Sequence, residues 1–345
     1  HRDLHSFPTR RSSDLVSSEV VKFIRQNKDR PFYVNYWCFS VHSPWDGKRE
    51  LVERYRAVAD PNSPQRNPVY AAMVHSLDEG VGRVMKTIDE LGLAERTIFV
   101  FFSDNGGVDW HEERMKTRYG MDDPPTSNLP LRGGKATLHE GGTREPCLVV
   151  WPGVTKAGTT SDAVIQSIDF FPTFRELLDL KTPQGLRFDG LSVASAFKGG
   201  ASPRDTVFCH FPHIGHDRLG PGTYVRHADW KLIRRYACGD NQEDTFELYN
   251  LRDDVGEANN LAASKPAKVK ELNAMIDRFL ADTKAIVPQP HPNYQPLDRW
   301  AAGNDATAVF RDGTVTVASA TNRPTLHLLQ TPEGTGTFVD RKSVV

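Results

Sequence analysis

The string FFSDNGG at positions 101–107 places a carboxylate, Asp104, beside an amide, Asn105. An apolar run at 97–102 precedes them and is typical of a buried strand, so both side chains follow its carboxyl end. Hard oxygen donors suit Ca²⁺ or Mg²⁺, and open α/β sheets bind ligands at the carboxyl ends of their strands. The string therefore predicts a divalent-cation site, and an ordinary turn with an Asx hydrogen bond is the alternative.

A glycine-rich string carries the second candidate group, Lys135. Residues 131–146 read LRGGKATLHEGGTREP, and their four glycines bring the backbone close to whatever the lysine contacts. A lysine ammonium is a compact charge with rotatable donors, which suits a tetrahedral oxyanion. An exposed lysine in a flexible surface loop is the alternative. Glu140 and Arg144 are interpreted as structural, because buried loops need charged groups to satisfy their backbone.

The elements that must position these groups alternate between strand and helix. Residues 32–39 form an aromatic run that favours a buried strand, and a loop containing His42 follows it. Apolar residues at spacings of three and four predict a long helix over 70–91, before the strand at 97–102. Strand, helix and strand of this length predict a parallel βαβ unit. We expect an α/β fold, with a mostly parallel sheet sandwiched by helices over residues 16–201.

The pattern changes at about residue 202. Four short strand candidates predict a small antiparallel sheet, at 207–211, 222–226, 230–236 and 245–251. A helix over 266–284 completes a smaller α+β subdomain at 202–286. Residues 287–306 contain a proline-rich stretch and predict a stiff linker. Alternation around Asp312-Gly313 predicts a hairpin at the opening of a separate β module, 307–339.

Composition argues against two classes of partner. The net charge is −1, so no basic excess exists to hold a nucleic acid. The longest apolar run, 97–102, is far shorter than the ~20 residues that a membrane-spanning helix needs. The four cysteines form no C-x-x-C pair, and three of them have the apolar surroundings of small buried residues.

Taken together, these strings resemble the sulfatase family of the alkaline-phosphatase superfamily. That family reads T-hydrophobic-SDNGG, then GGK…EGG-x-R-x-P, then a strand and W-P-G, and this chain has each of them, including Trp151-Pro152-Gly153. The resemblance covers residues 17–285 in one order and includes further short matches, at 31–32, 42–44, 168–173, 230–233, 247–251 and 257–261. An ordered set of motifs is more specific than any single motif.

The resemblance implies a reaction and a role for each matching residue. It implies hydrolysis of a sulfate ester, on a sulfated carbohydrate or an aryl sulfate, with one Ca²⁺ ion held in part by Asp104 and Asn105. Lys135 is similar to the lysine that contacts the sulfate and the bridging oxygen. His42 is similar to the histidine that contacts the sulfate and assists departure of the alcohol. The family's nucleophile is a cysteine or serine matured to formylglycine, and no residue here is identified with it.

A histidine-rich loop lies in the smaller subdomain. Sulfatases place this region over the pocket, so the resemblance makes His210 and His213 candidates for contact with a sugar hydroxyl or a second sulfate. Ordinary loop histidines are the alternative, because a cluster of histidines is only a hypothesis about binding.

Both ends of the chain are expected to be foreign to the protein. Residues 1–15 and 340–345 resemble translated sequencing adapters, and 1–15 lack the apolar region of a signal peptide. Ser6 begins a loose match to the nucleophile pattern, but no apolar strand precedes it, so it is not assigned that role. We expect that the N-terminal part of the sulfatase domain is missing and that this chain alone hydrolyses no sulfate ester.

Two other functions stay open. A phosphoryl or phosphonate hydrolase of the same superfamily has a similar metal strand, although EGG-x-R-x-P and the ELYNL string at 247–251 favour a sulfatase. A binding protein that kept the scaffold without catalysis is the second alternative. The chain retains Asp104, Asn105, Lys135 and His42 together, which argues against a binding protein without catalysis. The family alone implies a periplasmic or extracellular location and a sulfated small molecule or glycan as the partner.

Overall fold

Three helices open the chain in the structure, a computed structural model that describes residues 9–213, 220–239, 242–290, 307–311 and 314–318. Helices α1 (Thr9–Asn27) and α2 (Arg49–Val58) both lie against the long helix α3 (Pro68–Glu90). The side chain of Asn67 caps α3 by accepting hydrogen bonds from two backbone N–H groups, and proline occupies the first turn. The predicted helix over 70–91 is therefore confirmed.

Two apolar clusters hold these helices together. One joins α1 to α3, and its buried members are Ile24, Val84, Ile88 and Leu93. The other joins α2 and α3 to the residues that follow the first strand, and its buried members are Trp45, Leu51, Val52, Val69, Ala72, Met73, Val108 and Met115. Because α3 takes part in both clusters, it packs against residues before and after the strand that leads to Asp104.

The first strand, β1 (Phe99–Phe102), pairs with β2 (Cys147–Val150). The pairing is antiparallel, with Phe102 opposite Cys147. Helix α4 (Glu113–Tyr119) and the single-turn helix α5 (Glu140–Thr143) lie between the two strands in sequence. The strand expected over 97–102 is confirmed as β1, and β2 is the strand expected between EGG-x-R-x-P and W-P-G.

The strand predicted over 32–39 and the mostly parallel sheet are not found within the described ranges. Residues 32–39 alternate in exposure, and Trp37 is 78 % exposed, but the segment joins no ladder. With this segment unpaired, the neighbour of β1 is β2, which runs in the opposite direction. The strand prediction at 32–39 is wrong, and the sheets of the described residues are antiparallel. Alternating aromatic residues favour extended backbone without specifying a neighbour.

Two short helices lead from β2 to the smaller subdomain. A 3₁₀ turn at Ser167–Asp169 runs into α6 (Phe170–Leu177), and α7 (Ala194–Phe197) follows. A four-stranded antiparallel sheet comes next, in the order of its strands along the chain: β3 (Thr206–Phe211), β4 (Gly222–His227), β5 (Trp230–Arg235) and β6 (Thr245–Asn250). Helix α8 (Pro266–Thr283) then contacts β4 and β5. The antiparallel sheet and its helix are confirmed.

The two faces of this sheet contact different parts of the chain, because successive side chains along a strand point to opposite faces. One face packs against α8 through residues that include Val225, Leu232 and Leu248. The opposite face contributes Tyr224, Ile233 and Tyr249 to a cluster with Leu138, from the glycine-rich string. The smaller subdomain therefore contacts the candidate site directly.

A hairpin follows the predicted linker, whose residues 291–306 lie outside the described ranges. Strands β7 (Thr307–Arg311) and β8 (Thr314–Ala318) pair with Arg311 opposite Thr314. The predicted turn at 312–313, Ser6 and the C-terminal segment 340–345 lie outside the described residues. Helix α1 crosses the predicted boundary at residue 15. In the described ranges, none of the helices has the length and apolar character needed to cross a bilayer.

Candidate active site

Asp104 and Asn105 lie just beyond the end of β1. The Asp104 carboxylate is exposed and has no hydrogen bond or ion pair within the described part of the chain. The Asn105 side chain donates from Nδ2 to the carbonyl oxygen of Gly106 at 3.1 Å. That bond uses the amide nitrogen and leaves the amide oxygen available as a metal ligand. The strand end thus offers a carboxylate and an amide oxygen together.

The two glycine-containing strings are joined backbone to backbone. Lys135 donates from its backbone N–H to the carbonyl oxygen of Gly107 at 3.0 Å. Gly106 donates to the carbonyl oxygen of Gly142 at 3.3 Å, and a β-carbon on Gly106 would collide with Gly141. Glycine is needed at this contact because any larger residue would separate the strings. The fold therefore brings the lysine loop to the strand end that carries Asp104.

Lys135 is half-buried, and its ammonium has no ion pair or hydrogen bond among the described residues. A lysine removed in part from water is usually paired, because its charge is costly to desolvate. Its neighbour in the chain, Ala136, has a positive φ of 64°, so the backbone turns sharply after the lysine. An unpaired ammonium on a fixed turn is suited to an anionic ligand.

A second carboxylate, Glu145, lies close to Asp104. Burial and, to a smaller extent, the negative charge of Asp104 raise the pKa of Glu145 to about 7. One oxygen of Glu145, Oε1, is buried without a hydrogen-bond partner in the described ranges. Two neighbouring carboxylates without a counterion create a local negative potential that a cation would relieve.

The donors present fit part of a calcium site. Asp104 and Asn105 supply the hard oxygen ligands that Ca²⁺ prefers, and the unpartnered Glu145 adds negative charge beside them. Calcium takes ~6–8 oxygen ligands. No group of three or more His, Cys, Asp or Glu side chains suited to a metal occurs in the described residues. Asp104 and Asn105 therefore account for only a fraction of a complete coordination shell.

His42 lies in the loop after residues 32–39, on the surface. Its Nδ1 donates to the carbonyl oxygen of Ser43 at 2.9 Å, which leaves Nε2 as the free ring nitrogen. No hydrogen bond or ion pair within the described residues joins His42 to Asp104 or Lys135. The structure brings Asp104, Asn105 and Lys135 together, but it does not show His42 in contact with them.

The two histidines of the smaller subdomain differ from each other. His210 lies in β3 with both ring nitrogens engaged: Nδ1 is 2.6 Å from Thr223 Oγ1, and Nε2 is 3.0 Å from the carbonyl oxygen of Ile286. His213 is exposed, with its ring against Phe211 at 5.1 Å between centroids. His213 is therefore free to contact a ligand, whereas His210 would have to give up a hydrogen bond.

Comparison with protein-family models gives two matches. The model of the family Sulfatase matches residues 3–180, and the model described as N-sulphoglucosamine sulphohydrolase, C-terminal, matches residues 134–285. The first alone covers more than half of the 345 residues. The chain belongs to the sulfatase family. The predicted family is therefore confirmed, and its members are sulfuric ester hydrolases.

Curated relatives of this sulfatase chain include bacterial and human proteins. A sulfatase of Formosa agariphila is 34 % identical over 279 residues, which cover 74 % of this chain and 47 % of the relative. Human arylsulfatase A is 34 % identical over 252 residues, which cover 68 % of this chain and 45 % of the relative. The chain thus spans about half the length of the curated sulfatases that it matches.

Solved structures resemble the chain in fold. Ps i-CgsB in complex with k-i-k-neocarrahexaose has a TM-score of 0.64 at 24 % identity, covering 83 % of this chain and 57 % of that one. The PsFucS1 sulfatase from Pseudoalteromonas sp. has a TM-score of 0.59 at 23 % identity, covering 82 % and 54 %. These similarities show the alkaline-phosphatase-like fold of the sulfatases.

Two side chains that the sequence analysis overlooked hold the site of this sulfatase in place. Asn128 accepts from the N–H of Gly107 and donates to the carbonyl oxygens of Gly107 and Gly133, each at 3.0 Å. His139 donates from Nε2 to Glu247 at 3.0 Å, which joins the loop to β6. Asn128 lies in an irregular polar stretch, where nothing in the local pattern distinguishes it from its neighbours. A cavity of about 450 Å³ beside this loop is lined in part by Asn128, Arg132 and Gly133.

Proposed function

We propose that this protein is a calcium-dependent sulfatase acting on a sulfated carbohydrate or an aryl sulfate. One observation carries the proposal. The unpaired, half-buried Lys135 is bonded through its backbone to the strand end that bears Asp104 and Asn105. A cation on a loop that is bonded to the strand end with two candidate metal ligands suits an anionic substrate whose charge increases in the transition state. Membership of the sulfatase family supports a sulfate ester as that anion.

Asp104 and Asn105 are the residues that would hold the calcium ion, and further oxygen ligands would complete its coordination shell. When bound, the ion acts as a Lewis acid that polarises the sulfate group. Glu145 increases the negative potential at the same strand end. This arrangement supports a hard divalent cation over a soft one, because the donors are oxygen atoms.

Lys135 and His42 have separate roles in this proposal. The ammonium of Lys135 donates hydrogen bonds to the sulfate and to the bridging oxygen, where negative charge grows as the ester bond breaks. His42 in its imidazolium form supplies the proton of Nε2–H to the departing alcohol, because its Nδ1–H is committed to the carbonyl oxygen of Ser43. His213, which is exposed, contacts a sugar hydroxyl or a second sulfate in this proposal, with His210 as a lesser candidate.

The nucleophile in this proposal is a formylglycine, whose hydrate attacks sulfur as the alcohol departs, and no described residue is identified with it. A mostly parallel sheet in the complete sulfatase domain belongs to the same proposal. Periplasmic or extracellular location is also proposed. Support for a glycan substrate comes from structural neighbours bound to a neocarrahexaose and to the substrate D-glucosamine-2-N,6-O-disulfate.

The proposal is tested by hydrolysis of p-nitrophenyl sulfate by the full-length protein, with calcium or with a chelator. Turnover that requires calcium and exceeds turnover of p-nitrophenyl phosphate supports it. A preference for the phosphate ester would instead identify a phosphoryl hydrolase. The present chain alone is expected to be inactive. Turnover by this chain that disappears in Ser6→Ala would show that Ser6 is the nucleophile after all.

A further inference from the structure

Lys231 is a lysine with no exposed surface, in strand β5 of the smaller subdomain. Its Nζ lies 2.9 Å from Oε1 of Glu140 and 3.1 Å from Oε1 of Glu257, and 4.6 Å from the centre of the Tyr224 ring. A buried ammonium is stable only when it is paired in this way. Lys231 therefore binds the sheet to Glu140, the first residue of α5.

Glu257 completes the contact with α5. Its Oε2 accepts a hydrogen bond from the backbone N–H of Glu140 at 2.7 Å. Arg144 lies 3.7 Å from the second oxygen of Glu140, so two carboxylates face two cations and the charges balance. The single turn of α5 is thus fixed by both its backbone and its side chain, from residues of the smaller subdomain.

Helix α5 is in turn joined to both glycine-containing strings. Gly142 accepts from Gly106 at 3.3 Å, and Gly141 donates to the carbonyl oxygen of Arg132 at 2.8 Å. Lys135 lies between Arg132 and α5 in the chain, and its own N–H is bonded to Gly107. A continuous series of ion pairs and hydrogen bonds therefore runs from Lys231 to the loop that carries Lys135.

We propose that Lys231 is a positioning residue for Lys135. By holding Glu140 and Glu257, it fixes α5 against the strand end of Asp104, so that the Lys135 loop keeps one geometry. The proposal rests on the proposed function for the role of Lys135 as the anion-binding group. The alternative is that Lys231 contributes only to the overall stability of the sheet.

Arg234 provides a matched control in the same strand. It is paired with Asp244 and Asp277, each at 2.7 Å, and Asp277 belongs to α8. Its side chain is on the face of the sheet away from α5, because residues 231 and 234 are an odd number of positions apart. Loss of this pairing removes a cation from β5 without touching the Lys135 loop.

The test compares Lys231→Met, Lys231→Arg and Arg234→Met in the full-length protein. We expect Lys231→Met to speed amide hydrogen exchange across residues 132–142 and to lower kcat on p-nitrophenyl sulfate by on the order of 10²-fold. Lys231→Arg keeps the charge and is expected to recover part of both losses. Arg234→Met is expected to leave loop exchange and kcat unchanged, even where it lowers the melting temperature.

Equal loop exchange and equal kcat in Lys231→Met and Arg234→Met would overturn the positioning role. Should Lys231→Met fail to fold, the double variant Lys231→Met/Glu257→Gln is used instead. It removes the negative charge of Glu257 together with the positive charge of Lys231, so Glu140 keeps Arg144 as its counterion. Faster loop exchange in this double variant supports the proposal, and exchange like the wild type contradicts it. Where the wild type hydrolyses no sulfate ester but Lys231→Met still loosens the loop, the sulfatase proposal fails while the structural coupling stands.

Discussion

Gly106 and Gly141 are in direct backbone contact, and the carbonyl oxygen of Gly141 occupies the place that a side chain on Gly106 would need. This contact joins the end of β1 to α5. It explains why glycine is required at position 106. β-Carbons on Gly141 and Gly142 would instead meet backbone oxygens of residues 132–137, so α5 packs closely against both the end of β1 and the Lys135 loop.

We expect Gly106→Ala to destabilise the protein, since the added methyl group must push the two strings apart. Overpacking of this kind typically costs ~1–3 kcal/mol. Gly82 in α3 is the control, because a methyl group there meets no other atom. Gly82→Ala is expected to stabilise the helix by roughly 0.5–1 kcal/mol. Urea unfolding measures both, and a Gly106→Ala protein as stable as the wild type would contradict the contact.

Lys135→Met is expected to lower kcat on p-nitrophenyl sulfate by roughly 10²–10³-fold, because the developing charge on the ester loses its charged donor. The free energy of unfolding should change little, since the ammonium has no partner in the described chain. Lys156, which is exposed beyond β2, gives the matched control as Lys156→Met. If only the melting temperature changes and turnover is intact, Lys135 is a structural residue.

Asp104→Ala is expected to abolish calcium-dependent turnover, because a hard dication loses an anionic ligand. Asp104→Asn keeps an oxygen donor without the charge, and we expect calcium affinity between those of Asp104→Ala and the wild type. Calorimetric titration with calcium measures the affinity without relying on turnover. Asp162→Asn at an exposed position is the control. Unchanged calcium affinity in Asp104→Ala would show that the metal ligands lie elsewhere.

Glu247 gives a prediction about acid stability. Burial alone would raise its pKa, but hydrogen bonds from His139 and Tyr249 and nearby positive charges outweigh burial and hold the pKa at about 2, below its ordinary 4.5. The unfolded chain therefore binds the proton more readily, so the stabilisation is complete above pH 4.5 and is lost as the pH falls toward 2.

Glu247→Gln is accordingly expected to lower the free energy of unfolding at pH 7 by roughly 1–3 kcal/mol, the usual range for hydrogen bonds to a charged group. The difference from the wild type is expected to shrink between pH 4.5 and pH 2. Urea unfolding at pH 7, 4.5 and 3 measures it, with Glu95→Gln on the surface as the control. A difference that is constant with pH would mean that the charge of Glu247 contributes nothing.

Local patterns predicted the parts of the fold that depend on local periodicity. The helix over 70–91, the four strands of the smaller subdomain and the helix after them all appear where their apolar spacing placed them. Residues 32–39 show what local periodicity does not predict, the partner of an extended segment. Alternation indicates extended backbone, yet only a distant segment decides whether an extended segment becomes a strand, and β1 pairs with β2 instead.

In the candidate site, too, local patterns identified some residues and missed others. Asp104, Asn105 and Lys135 were recognisable because their strings carry unusual glycines and charges, and the structure brings these residues together. Asn128 and Lys231 were not recognised. The bonds of Asn128 go to backbone atoms, and the partners of Lys231 lie far away in sequence. Residue type and spacing suggest which group does chemistry, but they carry little information about the side chains that hold it in place.

The bonds between the lysine loop and the smaller subdomain connect residues that are 91 to 125 positions apart in the chain. Contacts of such high sequence separation form late in folding, because closing a long loop costs entropy before any contact compensates for it. During synthesis, both glycine strings leave the ribosome well before Lys231 and Glu257. We therefore expect a nascent chain that stops short of β5 to contain every assigned metal and anion ligand and still to lack an ordered catalytic centre.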